Sequence, residues 1–335
     1  MRLKNYIIVI SALMVLTSCS KEQGEHTEIL ISGFENQKYD FAALALNTDS
    51  RVLSLEEDDM PITNIKDIYV SDSILLVCDD NNTLSMFDVR TGRIIKQRND
   101  VGHSQREYID VCAVSGYGDY LYALDRTGRK MIQYDKNLNF IHSTRMDFVP
   151  LDFEAMPEGF LFSRLDVAEN EKRYILTSLS GERIEEFLTA NKLEEIIYTE
   201  KSFASDGQSG YAYLHEPMRN EVYYIDGKDI HNKYDFIFKT AENNEATVLR
   251  DCFVTSKKII GTFINDEICY SFIYNTSDKE CKAGVFDLNS HIPFSPMSQN
   301  GDVLYAVFHN EDLACLDNWN GDDNDRLLTL YTYHF

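Results

Sequence analysis

Residues Ser71-Asp72-Ser73-Ile74-Leu75-Leu76-Val77-Cys78-Asp79 are followed by Leu84-Ser85-Met86-Phe87-Asp88 and by Thr91-Gly92-Arg93-Ile94-Ile95. The same order returns as Tyr117-Gly118-Asp119-Tyr120-Leu121-Tyr122-Ala123-Leu124-Asp125, then Met131-Ile132-Gln133-Tyr134-Asp135, then Leu138-Asn139-Phe140-Ile141. Each copy reads as a turn, a strand ending in Asp, a second strand ending in aromatic-Asp, a tight turn and a third strand. Short apolar runs bounded by Asp, Asn, Gly and Ser clusters signal strands and turns. A unit this small cannot bury its own apolar face, so it must stack on copies of itself.

Weaker copies follow. They are Glu158-Gly159-Phe160-Leu161-Phe162 with Tyr174-Ile175-Leu176; Asn220-Glu221-Val222-Tyr223-Tyr224-Ile225-Asp226; Lys257-Lys258-Ile259-Ile260-Gly261 with Gly284-Val285-Phe286-Asp287; and Asn300-Gly301-Asp302-Val303-Leu304-Tyr305-Ala306. Taking Leu75, Leu121, Leu161, Val222, Ile259 and Leu304 as equivalent gives steps of 46, 40, 61, 37 and 45 residues. A four-stranded propeller blade takes roughly 40–50 residues. The expected fold is all-β: a six-bladed β-propeller of four-stranded antiparallel blades, one domain over residues 28–335. A pair of β-sandwiches is the rival, and the number and regularity of the copies disfavour it.

The long step has a local reading. Ile184, Phe187, Leu188, Leu193, Ile196 and Ile197 fall near helical spacing, which predicts a short helical insertion between the third and fourth blades. A ring must also close. Arg326 to Tyr333 is a strand at the C-terminus, and Thr27 to Ser32 or Arg51 to Leu55 can pair with it in a shared blade. Such a blade removes the exposed edge of an open sheet.

The first nineteen residues stand apart from this array. Arg2 and Lys4 precede a mostly apolar run from Tyr6 to Leu16, and Leu16-Thr17-Ser18-Cys19 closes it. That order predicts a secretory signal over residues 1–18. The run is shorter than the roughly 20 residues of a bilayer span, although an uncleaved anchor is the alternative. Its ending resembles the lipobox of bacterial lipoproteins. The resemblance implies that Cys19 is acylated and begins the mature chain, with residues 19–27 as lipidated start and tether. Ser20, rather than Asp, follows that cysteine, which favours the outer membrane, periplasmic or surface-facing.

The chain carries 32 Lys and Arg against 55 Asp and Glu, a net charge of −23. Removing residues 1–18 takes two basic residues and leaves about −25. Nucleic acid and anionic membrane surfaces need a basic footprint, so both are excluded as partners. The expected partners are the membrane, through the lipid on Cys19, and a protein or glycan ligand of a monomeric propeller. After Cys19 six cysteines remain, at 78, 112, 252, 269, 281 and 315, with no C-x-x-C. Most sit in apolar strand-like runs and read as free buried thiols. Cys269 and Cys281 flank a turn near Thr276-Ser277, and a strand pairing there sets Cys269 against about residue 284.

Gly102-His103-Ser104-Gln105-Arg106-Glu107-Tyr108 lies between the two clear copies. It resembles the G-x-G-x-G-E-[YF] segment of the six-bladed β-propeller lipoproteins of Bacteroides-type bacteria, relatives of NHL-like and TolB-like propellers. Ser104 and Arg106 stand where that family prefers glycines. The lipobox, the D-x-x-x-x-[FY]-D hairpin spacing and Asp323-Asn324-Asp325, similar to a D-N-P turn, fit the same family. The resemblance implies the fold and an outer-membrane or periplasmic address, and no established reaction. A loop entering an innermost strand lies near the central channel, so His103, Arg106, Glu107 and Tyr108 are the candidate ligand-binding residues. Arg offers a planar fork for carboxylates or sugar hydroxyls, and Tyr a stacking face. The competing reading has Glu107 capping backbone N–H groups and Tyr108 packing between blades.

Few residues of the chain fall in patterns that carry chemistry. Asp317 to Asp325 is rich in oxygen ligands, but the calcium pattern wants Gly sixth and here Gly321 is fifth, so a solvated loop is expected. The histidines show no zinc spacing, and neither G-x-S-x-G nor a P-loop occurs. Asp88, Asp125, Asp135 and Asp287 recur at strand ends as turn formers. The expectation is no catalytic residue, metal or cofactor, and a non-enzymatic binding or scaffold propeller. The alternatives are a polysaccharide lyase or hydrolase using channel-facing His, Tyr, Arg and carboxylates, and a calcium-stabilised structural module.

Overall fold

The computed structural model describes residues 26–190, 201–205, 210–216, 219–240, 247–287, 289–290, 292–313, 316 and 327–335. Three strands come first: β1 (Thr27–Ser32), β2 (Lys38–Tyr39) and β3 (Asn47–Ser54). Blade one holds β4 (Ile65–Val70), β5 (Ile74–Asp79), β6 (Leu84–Asp88) and β7 (Ile94–Arg98). Blade two holds β8 (Val111–Tyr117), β9 (Tyr120–Asp125), β10 (Lys130–Asp135) and β11 (Phe140–Arg145). Blade three holds β12 (Pro150–Met156), β13 (Gly159–Arg164), β14 (Lys172–Thr177) and β15 (Arg183–Thr189). Blade four holds β16 (Phe203–Ser205), β17 (Tyr211–Glu216), β18 (Glu221–Asp226) and β19 (Asp229–Lys239). Blade five holds β20 (Val248–Val254), β21 (Lys258–Asn265), β22 (Ile268–Asn275) and β23 (Cys281–Phe286). Blade six holds β24 (Ser298–Asn300) and β25 (Val303–His309), a single helical turn α1 (Asn310–Leu313), and β26 (Leu327–His334).

Within each blade the strands run antiparallel in chain order, and the first strand of each lies nearest the axis. The fold is therefore the expected six-bladed β-propeller. Its apolar residues form six clusters, one between each pair of neighbouring blades. Burying one such side chain contributes about 1.5–3 kcal/mol, so the ring is held mainly by blade-to-blade packing. Polar bridges add direction. Glu216 on β17 accepts from the Tyr174 hydroxyl at 2.9 Å and meets Arg173 at 3.2 Å, tying blade four to blade three.

Closure uses one of the two expected strands. β3 pairs with β26 from Asn47↔His334 to Ser54↔Leu327. Thr27–Ser32 goes elsewhere: β1 lies parallel to β19, from Thr27↔Tyr234 to Ser32↔Lys239, as a fifth strand on blade four. The reason is its alternation, because Ile29 and Ile31 are fully buried in the cluster between blades four and five. β2 is added to blade five in the same way. The N-terminal segment thus laces the outer edges of blades four, five and six before the chain enters blade one.

Two readings of the long step are corrected. Over its described part, the expected helix is the outer strand β15, paired with β14 through Tyr174↔Phe187. Leu188 has φ of +47°, which breaks the strand's alternation and lets Phe187 and Leu188 pack on one side. Spacing that looks helical results. Residues 191–197 of the expected helix lie outside the described residues. Moreover, Asn220 to Asp226 belongs to the third strand of its blade, not the second. The second strand is β17, whose tyrosines alternate and whose end is Glu216, so it hides the aliphatic-Asp pattern. Part of the long step is that slip.

Cys78, Cys112, Cys252, Cys269 and Cys281 are free thiols, and Cys78 and Cys252 are buried as expected, whereas Cys269 is exposed. Ser271 faces Gly284 and Tyr274 faces Cys281 across that hairpin, so Cys269 does not face Cys281. Cys315 and the 317–325 loop lie outside the described residues. Among the described residues no helix is long and apolar enough to cross a membrane.

Candidate functional site

The loop from Gly102 to Tyr108 joins β7 to β8 and so sits at the end where chains enter the innermost strands. Tyr108 is fully buried between blades one and two. Its hydroxyl donates to the Arg98 carbonyl and accepts from the Asp100 N–H, both at 3.0 Å. The Glu107 carboxylate accepts from the Ser104 N–H at 2.9 Å. Hydrogen bonds from Ser104, then from the His103 N–H, with the nearby Arg106 charge, hold that carboxyl below its ordinary value. Lys130 on β10 donates to the carbonyls of Ser104 and Glu107. A side chain at Gly102 would collide with the Glu107 carboxylate. Glu107 and Tyr108 thus build the loop, while His103 and Arg106 are exposed on it. None of the four lines the axial cavity.

The axis itself holds a group that sequence reasoning missed. Four innermost strands carry a register shift at one position: Ile65/Asp67, Val111/Ala113, Pro150/Asp152 and Leu249/Asp251. A bulge re-aims the side chain that follows it, and Asp67, Asp152 and Asp251 therefore share one level of the ring. Lys201 meets them. Its ammonium lies 3.0 Å from the Asp67 carboxylate, and the charges of Asp152 and Glu154 act on it as well. The Asp67 carboxylate also accepts from the Val114 N–H at 2.9 Å, Asp152 from the Ser202 N–H at 2.7 Å, and Glu154 from the hydroxyls of Ser115 and Ser205 at 3.1 and 2.9 Å.

Burial pushes all four carboxyls up against the opposing pull of Lys201, and Asp152 reaches about 7. Burial works against the Lys201 ammonium too, but Asp67, Asp152 and Glu154 outweigh it and its pKa is raised. The remaining axial cavity, beside Tyr69, Ser115, Glu154, Lys201, Ser205 and Gln299, measures about 20 Å³. That is room for about one water. Among the described residues no cluster of His, Cys, Asp and Glu is arranged to hold a metal ion. The group ties blades one, three, four and five across the axis. A signal existed in the sequence, in I-K-D-I-Y, P-L-D-F-E and L-R-D-C-F, but the repeat as aligned starts at the second strand.

The turn formers behave as expected. Asp88, Asp135 and Asp287 accept from backbone N–H groups of their own turns, Thr91, Asn137 and Asn289. Asp125 does more: besides Gly128 it accepts from Ile109 and Asp110, fastening the incoming loop to the next turn.

At the opposite end, where chains leave the innermost strands, a cavity of about 340 Å³ opens between blades four, five and six. Tyr211 and Tyr213 of β17 line it, with Thr255 and Ser256 after β20, Gln299 of β24 and Asp302 in the turn after it. The tyrosine rings meet at 84° with centroids 5.9 Å apart, and Tyr224 packs beside both at 5.1 and 5.5 Å. The Asp302 carboxylate accepts from the Ser256 N–H at 2.7 Å and its hydroxyl at 2.5 Å. The Gln299 amide donates to the carbonyls of Val254 and Gly301 at 2.6 and 2.8 Å.

The family model described as a domain of unknown function, DUF4934, matches residues 29–330. Among solved structures, the chain is similar to a protein described as exported from Bacteroides fragilis, with a TM-score of 0.68 and 14% identity over 92% of this chain and 100% of that one. It is also similar to a member of the DUF4221 family from Bacteroides vulgatus, with a TM-score of 0.52 and 10% identity over 86% and 96% of the two chains. At these identities the likeness is one of fold. No curated protein matches the chain.

Proposed function

The chain belongs to the DUF4934 family, and from that premise we propose that it is an outer-membrane lipoprotein whose propeller binds a protein or glycan partner without catalysis. The observation that carries the reading is the contrast between the axis and the face where chains leave the innermost strands. Among the described residues, Lys201 and its carboxylates fill the axis and leave about 20 Å³, whereas the face beyond Gln299 holds an open cavity of about 340 Å³. A lyase or hydrolase working in the channel needs room for substrate beside its acid and base, and the described axis offers none. Propellers present turns from every blade, so a binding face needs no catalytic set.

The lipobox-like ending at Cys19, the apolar run before it and the exported Bacteroides neighbour support export and lipid anchoring. The closer kinship to NHL-like and TolB-like propellers, and the monomeric state, are parts of the same proposal. His103 and Arg106 form a second contact point at the opposite end, on a loop shaped by Glu107 and Tyr108.

Protease shaving of intact cells, with a known periplasmic protein as control, tests the address. Rapid loss of the protein places the propeller outside, facing glycans and surface partners. Survival until the cells are opened places it in the periplasm, facing an envelope protein. Recovery in the cytosolic fraction refutes the proposal.

A further inference from the structure

We infer, resting on the reading of this chain as a binding propeller, that the cavity between Tyr211, Tyr213, Ser256 and Asp302 is a subsite for one neutral pyranose ring of a glycan. Its volume of about 340 Å³ lies at the small end of ligand sites, which span about 300–1,000 Å³. That is the scale of a sugar ring rather than a folded protein surface. Two tyrosines set at 84° give the cavity a floor and a wall of aromatic surface. A pyranose has an apolar face of ring C–H groups and a rim of hydroxyls. Tyrosine matches both, with an apolar ring and a polar tip.

The polar side of the cavity is fixed before any ligand arrives. Ser256 holds the Asp302 carboxylate through two hydrogen bonds, and each oxygen keeps a further lone pair for a hydroxyl donor. Gln299 is held by three bonds to the turns of blades five and six, since its carbonyl also accepts from the Val254 N–H at 3.2 Å. Groups fixed in this way lose little freedom on binding.

Charge selects among sugars. Among the described residues that line the cavity, Asp302 is the sole charged one, and none is Lys or Arg. The net charge of −23 adds to its field. Uronates, sialic acids and phosphorylated sugars would set an anion beside that carboxylate, with no counter-charge among the described lining residues. A neutral hexose donates hydroxyl protons to that carboxylate instead, in charge-assisted hydrogen bonds.

The test uses the full chain in detergent on an array of neutral and acidic glycans, followed by titration calorimetry with the tightest neutral oligosaccharide. Tyr211→Ala and Asp302→Asn should each weaken binding at least tenfold, and acidic glycans of matched length should bind at least tenfold less well than neutral ones. Tyr211→Ala removes a half-buried ring, so Asp302→Asn, on a turn, is the variant that keeps the fold. Thermal midpoints are measured for both. Neutral-glycan binding that Asp302→Asn leaves unchanged overturns the subsite, and a preference for acidic glycans overturns its ligand class. Both outcomes leave the binding reading standing. An envelope protein bound tightly with no glycan on the array overturns this inference alone. Failure to bind either class overturns the binding reading with it.

Discussion

Asp152 and His215 pull the pH dependence of stability in opposite directions. Burial raises the Asp152 carboxyl from 3.8 to about 7, so the folded state prefers the neutral acid. Its contribution is present in full below about pH 4 and is lost as pH rises through 7. His215 is also fully buried, and burial pushes it from 6.5 down to about 4. Its contribution is present above about pH 6.5 and is lost as pH falls toward 4. One pKa unit corresponds to about 1.4 kcal/mol, so each group is worth up to a few kcal/mol. We expect the urea midpoint of Asp152→Asn to gain on the wild type between pH 4 and 8, and that of His215→Gln to gain as pH drops from 7 to 4. Parallel curves for wild type and variant would show that the residue does not titrate as buried. Neither residue was legible from sequence as a buried ionisable group. An aspartate in P-L-D-F-E reads as a strand residue, and only the bulge at Leu151 turns it to the axis.

At the scale of the strand, the legible part of the fold was the part that repeats. The second and third strands of blades one and two carry the same Asp endings, and those endings have a job: Asp79 and Asp125 each bind backbone N–H groups of both the incoming loop and the following turn. The first strands escaped because the repeat is legible from the second strand onward, and the bulge residue before each shared Asp breaks the strand period. β1 escaped for another reason. A parallel strand added at a blade's outer edge is specified by the surface it covers, and no period in its own sequence names that partner. Its contribution is nonetheless large, since Ile29 and Ile31 are both fully buried. Ile31→Ala should cost about 2–5 kcal/mol, while the exposed Leu30→Ala on the same strand should cost far less. Equilibrium urea unfolding of the two variants decides it, and equal losses would show that β1 does not seat in the cluster between blades four and five. The loop from Gly102 to Tyr108 was half legible. Its Glu and Tyr were recognised, but their work is to shape the loop, leaving His103 and Arg106 to face solvent.

The whole molecule is a ring closed by non-covalent contacts, and its N-terminal segment serves both closure and the proposed attachment. β3 completes blade six with β26, so the turn carrying Asp302 is set opposite Tyr211 only when the ring is shut. β1 begins at Thr27, eight residues beyond Cys19, and eight extended residues reach at most about 29 Å. A lipid on Cys19 would therefore hold the rim of blade four close to the bilayer. It would also supply the attachment itself: the chain without residues 1–18 has a net charge of about −25, which gives no electrostatic pull toward anionic lipid. Acyl chains contribute about 0.8 kcal/mol per buried methylene, and several chains together give stable anchoring. Cys19→Ala should thus move the protein from the membrane pellet to the soluble fraction while leaving its thermal midpoint unchanged, because the strands of the propeller begin at Thr27. A variant that still pellets with membranes after a high-salt wash would show that something other than this cysteine holds the propeller to the envelope.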